Sequence, residues 1–311
     1  MHPRSHQVAL QRCDSYDRTV ISELIDSSLQ HIGVQNSFHG KTVLLKPNLI
    51  SSSGPRLACT HSSFVAGAAL WFLNHGANVL LGDSPAFGSA AKVCRKQGIM
   101  TALDGLDVKL VDFISPVRLK LSGGISVTVA REALECDLFV GLPKIKAHNQ
   151  MFVTMAVKNI FGIVKGMNKA MLHMTHGDNH DRFAGMILDL ISLLPPQLHL
   201  ADGIKVMHKS GPLDGESLSL NCMAAACCPV ALDSAILDLL CLNKKQSPLW
   251  RVAALREMTG SDSKNFYFPL LSPHDFHGAG FNAPGNLHEI RFNLFRFLRG
   301  SMKKMILKVF E

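Results

Sequence analysis

Several things this 311-residue chain lacks narrow its chemistry before any residue is singled out. Its eight cysteines, at Cys13, Cys59, Cys94, Cys136, Cys222, Cys227, Cys228 and Cys241, include no C-x-x-C pair, so reduced and mostly buried thiols are expected. An iron-sulfur cluster needs several thiolates converging on one site. Only Cys222, Cys227 and Cys228 lie close together, inside the apolar stretch NCMAAACCPVAL, where buried cysteine is the ordinary outcome, and no cluster is expected in this chain. The loop from Gly82 to Gly88, placed between a strand and a helix as a phosphate loop would be, lacks both G-x-G-x-x-G and the GK[ST] ending, so neither a dinucleotide fingerprint nor a nucleoside-triphosphate loop is read there. G-x-S-x-G is missing too, and with it the simplest hydrolase signature. No apolar run reaches the length of a membrane span, and the opening MHPRSHQVALQRCDSYDR mixes His, Arg and Asp where a secretory leader needs an unbroken apolar stretch, so a cytoplasmic protein is expected. There is no low-complexity tract and no internal repeat.

What is present is ample core material, 47% hydrophobic against 18% charged residues, enough for one dominant domain. Apolar residues at helical spacing from Asp17 to Ile32 predict a helix stopped by Gly33. Thr42 to Lys46 and Asn78 to Leu81 read as short strands, and Ser62 to Asn74 between them as a helix opened by a Ser cap. That is a strand, helix, strand unit, from which parallel sheets are built. The alternation continues with a helix near Ser89 to Gln97 and a strand from Val108 to Phe113. A β-rich piece follows from Arg118 to Val129, with Gly123-Gly124 as its turn. Asp137 to Leu142 is an apolar strand of the buried parallel type. Helices are expected at Met151 to Ile160, Asp181 to Leu194 and Pro229 to Leu242, with another strand at His199 to Gly203. The fold class is therefore α/β: a mostly parallel sheet flanked by helices, in a domain over residues 1–242. Residues 243–311 form an extension with a loop-rich part and a basic, apolar tail.

Polar residues close several strands: Lys46 and Asn48, Asp83 and Ser84, Lys144 and Lys146, Asp202 and Gly203. In open parallel sheets the ligand crevice lies beyond the carboxyl ends of the strands, so Lys46, Asp83, Lys144 and Asp202 are expected to line one cleft. The plainer alternative is that polar residues collect wherever loops begin. From Pro143 to Gly177 the sequence has no Asp or Glu but holds Lys144, Lys146, Lys158, Lys165 and Lys169 with His148, His173 and His176. Such a stretch sets up a field attractive to phosphate or carboxylate. Lys144, Lys146 and Lys158 are candidates for holding an anion, with Asn159 and Gly162 beside them. His148 is the candidate general acid or base, since an imidazole near its free pKa moves protons at neutral pH. Asp83 and Asp202 are candidates to orient it or to hold a metal. His173, His176 and His180 form H-x-x-H-x-x-x-H, a spacing that suits a divalent metal when the rings share a face, although solvated loop histidines are commoner.

Taken in order, LLKPNL at Leu44 to Leu49, THSSF from Thr60, GANVLLGDSP at Gly76 to Pro85, CDLFVGLPKIKAH at Cys136 to His148, TMAVKNIFGIVKG at Thr154 to Gly166, LHLADGI and SGPLDG resemble the domain-of-unknown-function 362 family over about Val8 to Leu240. The resemblance implies no agreed reaction. It implies redox or metal-linked chemistry through the ferredoxin-type modules often joined to such proteins, and this chain lacks that cysteine-rich module. Carried over by position, the family motifs mark Lys46, Asn48, Asp83, Lys144, Lys146, His148, Lys158, Asn159, Gly162, Asp202 and Gly203. The expected function is that of an enzyme acting on a small anionic substrate. The rival is a non-catalytic metal- or cofactor-binding accessory protein of a redox system. The net charge of +8 suits an anionic ligand. No specific nucleic acid is expected. Residues 287–310 interleave Arg291, Arg296, Arg299, Lys303, Lys304 and Lys308 with apolar side chains and contain no acid after Glu289. They could dock on the core or make a peripheral membrane contact.

Overall fold

In the computed structural model, residues 4–34, 37–85 and 88–289 are described. The chain runs β1 (Ala9–Arg12), α1 (Arg18–His31), β2 (Thr42–Pro47), α2 (Ser62–Asn74), β3 (Asn78–Leu81), α3 (Ala90–Lys96), α4 (Ile99–Ala102) and β4 (Val108–Leu110). It continues with β5 (Pro116–Lys120), β6 (Ser126–Ala130), α5 (Arg131–Leu134), β7 (Leu138–Leu142), β8 (Lys144–His148), β9 (Phe152–Thr154), α6 (Ala156–Ile160), α7 (Gly166–His176) and α8 (His180–Asp189). The last elements are β10 (Gln197–His208), β11 (Glu216–Ala226), α9 (Pro229–Leu239) and α10 (Pro248–Leu255).

The nine-stranded sheet has the order β1-β11-β10-β7-β2-β3-β4, with β8 pairing β10 and β9. Strands β10, β7, β2, β3 and β4 are mutually parallel, and β11 and β1 add an antiparallel edge. Strand β10 runs beside β7 over Gln197 to His199 and then beside β8, because the chain breaks at Pro143 and resumes alongside the outer half of β10. β5 and β6 form a separate antiparallel hairpin.

Both faces of the sheet are covered, as a parallel sheet requires. Val43 and Leu45 point into a core built with α1 and α2, through Ile21, Ile25, Leu29, Phe64 and Phe72. Leu44 points the other way, into a core with Phe161, Phe183, Ile187 and Leu249 from the α6 to α10 side. A third cluster packs α9 over β11 and takes in Phe276 and Phe281, so residues past 242 share the same interior.

Helix α1 forms as expected, with Asp17 accepting from the Thr19 and Val20 amides and supplying two of the orphan donors' partners. At α2 the expected Ser cap is corrected: His61 holds the cap position and its ring accepts from the Ser63 amide. The expected helix from Met151 to Ile160 is also corrected. Phe152 to Thr154 instead returns as β9 against β8, pairing Lys146 with Thr154 and His148 with Phe152. The helix begins only at Ala156, because the Asp233 carboxylate of α9 accepts from the Ala156 and Val157 amides at 2.7 and 3.2 Å.

Asp233 thus fixes where α6 starts. Burial pushes its carboxyl up to about 7, against the two amides that pull it down. The folded protein therefore keeps this proton where the unfolded chain, near 3.8, has lost it. This group's contribution is fullest below the unfolded value and declines as pH rises toward 7. Asp233→Asn, which keeps one acceptor and cannot ionise, is expected to flatten the fall in unfolding free energy between about pH 4 and 7. Urea unfolding at several pH values checks this. An unchanged pH slope would contradict it.

Candidate functional site

Lys46 follows Leu44 in the alternation of β2 and so faces the α6 side. Its ammonium is fully buried and lies 2.8 Å from the Asp83 carboxylate just past β3. It also donates to Asn159 Oδ1 and to the Pro47 carbonyl, both at 3.0 Å. Asn159 returns a hydrogen bond from Nδ2 to the Lys46 carbonyl, which ties α6 to the end of β2. The other Asp83 oxygen accepts from the Leu49 amide at 2.9 Å. Gly162 has no side chain for a direct reason: a Cβ there would lie 2.2 Å from Lys46 Nζ and 2.3 Å from Asp83 Oδ1. Burial pushes the Lys46 pKa down, and Asp83 opposes the shift.

Lys144 makes the second buried pair, 2.8 Å from Asp202. Tyr16 completes it, accepting from Lys144 and donating to Asp202, each at 2.9 Å. The His61 amide donates to Asp202 at 3.0 Å, and the His61 ring stacks on Tyr16. Gly203 lets the strands close, since a Cβ would meet the Cys222 carbonyl at 2.8 Å.

The expectation of one shared cleft is corrected here. Asp202 alternates with Leu200 and Ile204, which belong to the α1/α2 core, whereas Lys46 faces the α6 side with Leu44. The four residues are each at most 3% exposed, and they form two saturated pairs directed to opposite faces. Lys144 is therefore an ion-pair partner rather than a free anion clamp, and Asp83 and Asp202 hold lysines rather than His148.

The cations left without a carboxylate lie on and beside the α6 face. Lys146 is buried and donates to the Asn48 side-chain oxygen and to the Ala58 carbonyl. Burial pushes it down to about 7, and Lys144 and Lys46 add to the shift while Cys59 and Asp83 resist it. Asn48 is itself fixed by Thr60, whose hydroxyl accepts from the Asn48 amide. Lys158 lies over the rings of Phe161 and Phe183, at 4.5 and 5.8 Å. It is brought down to about 7 by burial and then by Lys169, Lys146 and Lys46. Lys169, at the third corner, donates to the Ser84 carbonyl and is pushed down to about 8 by burial.

His148 sits in the same field. Its Nδ1 accepts from the Gln150 and Met151 amides, which puts the ring proton on Nε2. Burial, then Lys158 and Lys146, hold it well below 6.5. The ring is thus neutral at pH 7, a hydrogen-bond donor through Nε2 rather than an imidazole poised to titrate.

Ser84 is a latch. Its amide donates to the Gly162 carbonyl, and its hydroxyl accepts from the Gly166 amide at the start of α7. Lys169 enters the site along that helix, a residue the strand-end argument passes over. The signal for it was its place in the acid-free stretch, four residues before His173 on the same helical face. Tyr16 and His61 gave no such signal.

The metal reading of His173, His176 and His180 is corrected as well. Among the described residues no group of three or more His, Cys, Asp or Glu side chains is placed to hold a metal. His173 packs instead against Phe183 and Phe161, ring centroids 4.5 and 5.3 Å away, and burial lowers it to about 3. Cavity size does not mark the site either. A cavity of about 450 Å³ lies at the opposite, amino-terminal ends of the strands, beside Phe38, Lys41, Asp137 and Gln197.

Comparison with known proteins adds the following. The family model described as Domain of unknown function (DUF362) matches residues 43–238, from β2 to the end of α9. A thylakoid-associated protein of Synechocystis sp. is 33% identical over 307 residues, 97% of this chain and 95% of the relative. Among solved structures, the lactate racemase apoprotein of Thermoanaerobacterium thermosaccharolyticum is similar at 13% identity and a TM-score of 0.41, covering 65% of this chain and 52% of that one. A structural-genomics protein of Thermotoga maritima is similar at 12% identity and a TM-score of 0.40, covering 64% of this chain and 53% of that one. The chain spans about half the length of each of these two structures.

The two kinds of lysine should separate on mutation. Lys46→Met leaves the Asp83 carboxylate buried and unpaired and is expected to cost about 3–5 kcal/mol. Lys158→Met strands nothing and keeps the apolar stem. Because wild-type Lys158 titrates near 7 when folded and near 10.5 when unfolded, the unfolded chain binds more protons in that window, and wild-type stability rises with pH across it. Lys158→Met should therefore equal or exceed wild type near pH 6 and lose ground toward pH 10. Denaturant unfolding at the two pH values decides. A Lys158→Met protein as damaged as Lys46→Met would show that Lys158 is a structural cation.

Proposed function

From a chain that belongs to the DUF362 family, a family description that assigns no reaction, we propose an enzyme acting on a small anionic substrate. The substrate is held by Lys146, Lys158 and Lys169. One observation carries the reading: three neighbouring lysines lack a carboxylate partner, while the acids nearest them are consumed by Lys46 and Lys144. Unmatched, partly desolvated ammonium groups are costly in the empty site and become favourable once an anion enters. His148 Nε2 and the Asn48 side-chain Nδ2 supply neutral hydrogen-bond donors beside them. The rival reading, a metal- or cofactor-binding accessory protein, gains no support in its metal form from the described residues, where no group of three or more His, Cys, Asp or Glu is placed to hold a metal.

An arriving anion raises lysine pKa values that now stand near 7 to 8, so binding must take up protons. Titration calorimetry of the full chain with inorganic phosphate and with oxalate, at pH 8 in buffers of differing ionisation heat, is expected to show binding with net proton uptake. Affinity should fall as salt rises. It should drop at least ~10-fold in Lys158→Met, the loss of about one charge-assisted contact. Equal affinity in wild type and variant, or no binding of either anion, would count against the site.

Among the described residues no helix is long and apolar enough to cross a membrane. The expected tail contact lies almost wholly in residues 290–311, outside the described residues. The relative from Synechocystis is by its description thylakoid-associated, and we extend that association to this chain through the sequence of its tail. Leu287 packs in the third core cluster and the His288 amide donates to the Asn149 carbonyl, so the described chain is tied to the core as far as His288. Sedimentation with phosphatidylglycerol-containing vesicles should therefore capture the full chain at low salt and release it at high salt. A chain ending at Glu289 should remain folded and unbound. If the shortened chain unfolds, the tail docks on the core instead.

A further inference from the structure

Among the described lysines of the site, Lys158 has no oxygen partner. Lys46 and Lys144 hold carboxylates, Lys146 holds Asn48 and Ala58, and Lys169 holds Ser84. Lys158 touches two aromatic rings instead. Its backbone is held in a short helix whose first turn is capped by Asp233 and whose next residue after Lys158, Asn159, is locked to Lys46. An amine without a hydrogen-bonding acceptor, partly stripped of water and set among other cations is how proteins make lysine a nucleophile at neutral pH. Burial and the neighbouring ammonium groups act on it in that direction.

Resting on the anion-binding reading above, we infer that Lys158 forms an imine with the carbonyl carbon of a small oxo acid, whose anionic group rests on Lys146 and Lys169. The neutral amine's lone pair forms the C–N bond as the carbonyl π electrons move to oxygen. A proton passes from nitrogen to that oxygen, giving the carbinolamine. The hydroxyl then leaves as water, taking a proton from a neighbouring ammonium such as Lys169, and the nitrogen lone pair forms the C=N bond of a protonated imine. One water is released, and nothing is oxidised or reduced. His148 Nε2–H is the neutral donor available to the carbonyl oxygen. The protonated imine withdraws electrons from the adjacent carbon, which serves proton removal or bond cleavage there.

The full chain is incubated with glyoxylate and reduced with borohydride, and oxalate, which forms no imine under these conditions, is titrated separately by calorimetry. The expected result is one carboxymethyl group by intact mass, mapped to Lys158, with labelling that rises as pH passes about 7 and then levels off. Lys158→Arg keeps the positive charge and should still bind oxalate but take no label. Oxalate binding without a Lys158 adduct overturns the imine and leaves the anion site standing. Labels scattered over lysines equally in wild type and Lys158→Arg likewise overturn it. An adduct on Lys158 without oxalate binding overturns the anionic-substrate part of the proposal, and neither signal overturns both readings.

Discussion

Two buried lysine–aspartate pairs govern this protein. Lys46 at the end of β2 holds Asp83 just past β3, and Lys144 at the start of β8 holds Asp202 midway along β10, 2.8 Å apart in each case and almost without solvent. Such pairs are poor sources of net stability, because desolvation offsets most of their attraction, yet breaking one leaves a stranded charge. Their consequence is local. They fix the loop after β2 through the Leu49 and His61 amides and the loop after β3 through the Ser84 amide, and they use up the nearby carboxylates. Every other cation nearby then stands unmatched in a stretch of sequence that offers no acid from Pro143 to Gly177.

The rest of the site follows from what these pairs hold. Asn159 locks onto Lys46, and Gly162 presses its bare Cα against the same pair, so the short helix α6 can approach the sheet only in one pose. That pose presents Lys158 beside Phe161 and Phe183. The Ser84 backbone, itself set by Asp83, donates to the Gly162 carbonyl and accepts from Lys169. The depressed pKa values of Lys146, Lys158 and Lys169 have burial as their first cause and nearby ammonium groups as a further one: Lys144 and Lys46 act on Lys146, Lys169, Lys146 and Lys46 on Lys158, and Lys46 on Lys169. On the reading proposed above, an anion or the loss of protons relieves this arrangement, and an oxo acid would meet both demands at once.

Much of the fold was legible in the sequence because its signals were local. Asn78 to Leu81 and Ser62 to Asn74 emerged with their expected bounds, since apolar periodicity and flanking polar residues act within one element. The helix expected from Met151 failed where a distant residue decided the matter: Asp233, far along the chain, sets the start of α6. Strand β11 was hidden inside an apolar cysteine run because it is buried along its inner half and shows no alternation there. For the site, residue types and strand ends were visible, but which lysine would find a carboxylate was not. Lys144 and Lys158 look alike in sequence and differ only in whether Asp202 is within reach. The histidine spacing misled because His173 turns toward aromatic rings, a choice made by packing rather than by spacing.

The central claim is that a group of lysines here is unmatched and titrates near neutrality. It is tested most directly by nuclear magnetic resonance of the full chain carrying isotope-labelled lysine side chains, followed across pH with and without oxalate. The account predicts three lysine signals titrating near 7 to 8, assigned by mutation to Lys146, Lys158 and Lys169 and shifted upward by the anion. Lysines that all titrate near 10.5, unmoved by oxalate, would contradict it.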